Sequence, residues 1–70
     1  MKNFEILITS PPDREKLVAE IWHKDMHVAE INQEDENLEI QIYVAEKILS
    51  LPFNDFFHAL EVAKDKLLVQ

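Results

Sequence analysis

The segment His23-Lys24-Asp25-Met26-His27 sets two imidazoles on either side of a carboxylate, the ingredients of a two-histidine metal site. A spacing of four would bring both rings to one face of a helix, but this stretch reads as a hairpin turn. Zinc chemistry also needs a third ligand, an open coordination position and commonly a general base. Nothing else in the chain places those groups, so His23 and His27 read as surface histidines beside a turn and no metal is expected. His58, further along, reads as bordering the core. Glu34, Asp35 and Glu36 form the other cluster with cation chemistry in it. A calcium loop of the EF-hand type needs a glycine at its sharp turn, a glutamate at its twelfth position and helices on both sides. The chain has no glycine and the flanking patterns are strands, so the run reads as a solvated loop.

Nucleophilic catalysis fares no better. The hydroxyl side chains are Thr9, Ser10, Tyr43 and Ser50, and none has an adjacent base with an orienting group. There is no glycine-rich loop to cradle phosphate, and Arg14 is the single arginine. A net charge of −7 repels nucleic acid and attracts a basic protein, whose approach it can accelerate. The chain therefore reads as a non-enzyme with no cofactor and no nucleic-acid partner.

The elements that would position a binding surface follow from the alternation of side chains. Phe4, Ile6 and Ile8 alternate with Glu5, Leu7 and Thr9, the period-two pattern of a strand. Ser10-Pro11-Pro12-Asp13 then turns the chain, because successive prolines donate no backbone hydrogen bond. Two near-copies of Val-Ala-Glu-Ile follow, joined at Lys24-Asp25, and Leu38, Ile40, Ile42 and Val44 alternate with Glu39, Gln41 and Tyr43. These patterns predict strands at about 3–9, 16–23, 26–32 and 37–44. A weaker extended segment at 48–53 contains Pro52 and suits an edge strand or the approach to a helix. A helix is expected at about 55–68, capped by Asn54, with Phe56, Phe57, Leu60, Ala63, Leu67 and Leu68 at spacings of three and four. With no glycine, turns needing positive φ fall to Asp25, Asn32, Asn37 or Asn54.

The expected architecture is α+β: an antiparallel meander of four strands, with an optional fifth, and one C-terminal helix on one face. The expected core is Phe4, Ile6, Ile8, Leu17, Ala19, Ile21, Ile31, Leu38, Ile40, Ile42, Phe56, Phe57, Leu60 and Leu67. One helix covers one face, so strict alternation leaves Val18, Glu20, Trp22, Val28, Glu30, Glu39, Gln41 and Tyr43 on an open face. Trp and Tyr among carboxylates suit burial by a protein partner. Trp22 and Tyr43 packing on each other across adjacent strands would explain them equally well. The candidate partner-binding set is Glu20, Trp22, Val28, Glu30, Glu39, Gln41 and Tyr43.

A chain of 70 residues buries only about 60% of its unfolded surface and makes one domain. Its hydrophobic content of 47% separates it from disordered acidic chains. It has no cysteine, which fits a cytoplasmic setting, and no apolar run approaches the roughly 18 residues of a membrane span. The N-terminus does not read as a signal peptide.

The segments Ser10 to Ile21 and Ala29 to Glu34 resemble a family of small, acidic, single-domain bacterial proteins without an established activity. In general character that family is similar to the immunity proteins that neutralise secreted toxins. The resemblance implies a protein-binding inhibitor and transfers no catalytic residue. On this expectation the acidic face occludes a basic toxin, a nuclease for instance. The alternative is a homodimer pairing through the open face, with Trp22 and Val28 at the two-fold.

Overall fold

The computed structural model describes residues 3–43 and 48–69. Strands β1 (Phe4–Thr9), β2 (Val18–His23), β3 (Met26–Asn32) and β4 (Glu39–Ile42) form one antiparallel sheet in the order β1-β2-β3-β4, and helix α1 (Phe53–Leu68) closes the fold. This is the expected α+β meander. Residues 48–52 form no strand, and α1 starts at Phe53, so the optional fifth strand is not formed by the described part of that segment. Residues 44–47, including Val44 at the end of the expected fourth strand, lie outside the described residues. Pro52 is the N-cap, in an extended conformation, and its carbonyl accepts the Phe56 N–H at 2.9 Å. Asn54 is the helix's second residue rather than its cap. Proline is compatible with this position because its φ of −61° lies in proline's fixed range and an N-cap N–H has no partner within the helix.

Lys24 and Asp25 both have positive φ, 49° and 66°, as a two-residue hairpin turn of the primed type demands. Asp25 was the expected residue for this role and Lys24 joins it, while Asn32 and Asn54 sit within regular elements.

The helix lies over β1 and β2. Ala59, Ala63 and Leu67, four residues apart, are its buried stripe, and the two alanines let the helix approach the sheet closely. Beneath it sit Phe4, Ile6, Ala19, Ile21, Val28, Ala29 and Ile31, with Ile8, Leu17, Phe56 and Leu60 half-buried at the margin. Leu49 and Leu51, ahead of the helix, also pack there. Four residues expected in the core are instead exposed: Leu38, Ile40, Ile42 and Phe57. An α-helix is about 10 Å across and cannot cover four strands spaced nearly 5 Å apart, so β4 is left bare on the helix side. Among the described residues no helix is long and apolar enough to cross a membrane.

Candidate functional site

The sheet face away from α1 carries the polar side chains. Its layout depends on a bulge: Ile21 pairs with Ala29 and Trp22 with His27, leaving Val28 as an extra residue on β3. An extra residue breaks the alternation of sides. Val28 and Ala29 both join the core, fully buried, and His27 takes the place on the polar face that strict alternation gives to Val28. Val28 is therefore not a partner-binding residue, and the homodimer that would have placed it at a two-fold loses that contact.

His27 now lies between the two aromatics. Its ring stacks on Trp22 at 5.0 Å between centroids and meets Tyr43 at 4.7 Å, so Trp22 and Tyr43 communicate through a β3 residue instead of packing on each other. His27 Nε2 lies 3.1 Å from the Ala29 carbonyl beside the bulge, which assigns the proton to that nitrogen. His23 faces the other way. It is buried against Phe4, with centroids 4.4 Å apart, and is no surface histidine. The two histidines are thus on opposite faces of the sheet and cannot share a metal ion. Among the described residues no group of three or more metal-ligating side chains forms. His58 is exposed on α1 and does not border the core.

Glu20 and Glu30 stand directly opposite each other in the β2–β3 register. Like charges so placed repel, and the structure draws them to different donors. Glu20 accepts hydrogen bonds from the Thr9 hydroxyl at 3.2 Å and the Trp22 indole N–H at 3.1 Å. Glu30 is directed towards β4, where Arg14 Nη2 donates to it at 2.8 Å, the Tyr43 hydroxyl at 3.3 Å and Asn32 Nδ2 at 3.4 Å. With 6% of its surface exposed, Glu30 is a buried carboxylate with its acceptor positions occupied, not a free partner-binding acid. Arg14 Nη2 also donates to Gln41 at 2.8 Å, and Asn32 and Gln41 both donate to Glu39.

Arg14 comes from the 10–17 connection, which crosses the polar face to reach β3 and β4. Val18, placed on this face by alternation, is fully buried there. Burial works to lower the Arg14 pKa, but the charge and hydrogen bond of Glu30, helped by Asp13 and Glu34, outweigh it and raise it above the ordinary value. The same connection is tied down at its far end by Glu34, whose carboxylate accepts the backbone N–H groups of Glu15 at 3.0 Å and Lys16 at 3.1 Å. Those bonds, the Glu15 N–H foremost, hold the Glu34 carboxyl below the usual carboxylate range against the opposing effect of desolvation, with Arg14 and Lys16 adding to the lowering. Tyr43 is shifted upward, first by desolvation and then by the charge and hydrogen bond of Glu30.

The polar face therefore has two parts: a closed network around Glu30, and a rim. The rim comprises the aromatic row Trp22, His27 and Tyr43 and, at the other end, exposed acids on the joined 10–17 and 33–37 connections and on Glu39. No hydroxyl on this face has the base and orienting group that nucleophilic attack requires; Thr9 and Tyr43 each donate to a carboxylate that other donors already engage. Family models, curated proteins and solved structures all fail to match this chain.

Of the expected set, Glu20, Trp22, Glu30, Glu39, Gln41 and Tyr43 share the polar face. Arg14, His27 and Asn32 also belong to it; alternation from Glu30 places Asn32 on this face, but selects neither Arg14 nor His27. Arg14 carried one signal, as the single arginine in a very acidic chain; for His27 the bulge left none.

Proposed function

We propose that this chain is a non-enzymatic protein-binding module, an immunity- or antitoxin-like inhibitor that occludes the cationic surface of a basic toxin. The observation that carries the reading is the rim of the polar face. Asp35, Glu36 and Glu39 are exposed at one end and Tyr43 is 39% exposed at the other, in a chain of net charge −7. Carboxylates at the rim of an interface steer a cationic partner and fix its register, and a tyrosine supplies area with a polar end. A nuclease is the class of toxin whose phosphate-binding lysines and arginines such a rim would occupy. Glu30 has a different role from the acids of the rim: it holds Arg14, and through it the connection that shapes the face.

The test is recovery of the tagged chain from its producing cells at low and raised salt, with the retained proteins identified by mass. The expected result is one basic protein, lost when Glu36→Lys and Glu39→Lys are combined and weakened about tenfold or more by Tyr43→Ala. Both variants lie outside the core, so their folding is checked by thermal melts. Recovery of this chain alone, or a partner held equally by the charge-reversed variant, would overturn the proposal.

A further inference from the structure

Residues in an antiparallel ladder alternate between exchanging both backbone hydrogen bonds with the neighbouring strand and pointing those groups away from it. The Tyr43 N–H donates to the Val28 carbonyl at 2.8 Å, and the register Glu30↔Gln41 and Asn32↔Glu39 continues the same bonded set. Ile40 and Ile42 therefore turn their N–H and C=O groups to the outer side of β4, the last strand in the sheet order. Their side chains, 49% and 56% exposed, stand on the helix side of the sheet. Ile40, Leu38 and Phe57 line a groove of about 410 Å³ between β4 and α1. A short edge strand whose outward-pairing residues are two exposed isoleucines, with its one charge, Glu39, at its start, is a site for strand pairing.

We propose that a second copy of this chain pairs with β4 edge to edge, antiparallel, about a two-fold axis through Gln41, making one continuous sheet. The strand is self-complementary in that register. Ile40 of each copy bonds through its backbone to Ile42 of the other, and the isoleucine side chains meet on the helix side. On the polar side Gln41 meets its own copy, amide to amide, and Glu39 meets the Tyr43 ring. The two Glu39 carboxylates then lie about 14 Å apart along the strands, at 3.4 Å per residue, beyond a screening length of about 8 Å at physiological salt. Slipping the pairing by two residues, about Ile40, would bring those carboxylates to diagonal positions about 7 Å apart. Charge thus selects the Gln41-centred register. The inference does not rest on the toxin reading, because its argument is the backbone edge of β4, although Glu39 and Tyr43 of the rim flank the two-fold.

Two measurements on the full chain test it together: the molar mass by sedimentation over about 1–500 μM, the range suited to a small interface, and amide hydrogen exchange at both ends of that range. The expected mass rises twofold with concentration. The Ile40 and Ile42 amides become protected at least tenfold only where it has risen, whereas those of Gln41 and Tyr43 are protected throughout. Ile42→Pro removes an outward N–H and no β3–β4 bond, so the variant is expected to stay folded and remain a monomer. Should it unfold, Ile40→Lys combined with Ile42→Lys sets ammonium groups against each other across the two-fold and is expected to give the same monomer. A monomeric wild-type chain at every concentration, a dimer whose Ile40 and Ile42 amides exchange freely, or a folded variant that still dimerises would each overturn the proposal.

Discussion

The Arg14 guanidinium lies 2.8 Å from the Glu30 carboxylate, with the two side chains only 19% and 7% exposed. This pair joins a loop to the third strand and, through Gln41, to the fourth. A partly buried pair need not add net stability, since removing both charges from water is costly, but removing one partner leaves the other charge buried and unmatched. Arg14→Met is therefore expected to lower the melting temperature by about 10 °C. Combining it with Glu30→Leu should recover most of that loss. A double-mutant cycle by thermal melts checks this, and additive losses would contradict it.

Tyr43 is the single tyrosine, so phenolate absorbance in an alkaline titration reports on it alone. Its pKa is raised, by desolvation first and then by Glu30. A raised folded pKa means that the native state holds the proton longer than the unfolded chain. The contribution to stability is then present below the ordinary value of about 10 and is lost as pH rises through the folded pKa. The titration midpoint of the folded protein is expected above 10, moving downward in Glu30→Gln. A midpoint unchanged by that substitution would mean that Glu30 does not act on the phenol.

Alternation made the four strands, the Lys24-Asp25 turn and most of the core legible in the sequence, because each depends on residues close together in the chain; the meander order of the strands is an inference from their short connections and not from alternation. Three features depend on distant contacts. Val28 reads as outward until a bulge opposite Trp22 turns it into the core. Ile40 and Ile42 have the alternation of a buried strand, yet the Ala59–Ala63 stripe seats the helix over β1 and β2 and leaves them exposed. Arg14 sits in a proline-bounded connection, where no period indicates that its side chain will cross a sheet.

Acid should test the tie between the two connections. The Glu34 carboxyl is held below its ordinary value, chiefly by the Glu15 N–H. A depressed folded pKa contributes stability above the unfolded carboxylate value of about 4.3, and that contribution is lost as pH falls through the folded pKa. Glu34→Gln is therefore expected to reduce stability at neutral pH and to flatten its fall below pH 4–5. Denaturant melts followed by Trp22 fluorescence at several pH values measure both effects. Equal losses at pH 7 and pH 3 would rule out the carboxylate as the group responsible.

His23 offers a substitution expected to stabilise. Its ring is buried and packs tilted, at 35°, against Phe4, which in turn meets Phe56 at 5.9 Å between centroids. Its Nδ1 is buried without a hydrogen-bond partner among the described residues. A polar atom left in that condition has lost its bonds to water and gained none from protein, at a cost of about 1–3 kcal/mol. Phenylalanine keeps an aromatic ring against Phe4 and removes the unsatisfied nitrogen, at the expense of slightly more volume in a tight site. His23→Phe is therefore expected to gain about 1 kcal/mol, or roughly 5 °C in melting temperature for a domain of this size. His23→Ala, which removes the same nitrogen but leaves a cavity beside Phe4, should destabilise. If both substitutions destabilise alike, the imidazole nitrogen has a partner in solution and the ring is not merely filling space.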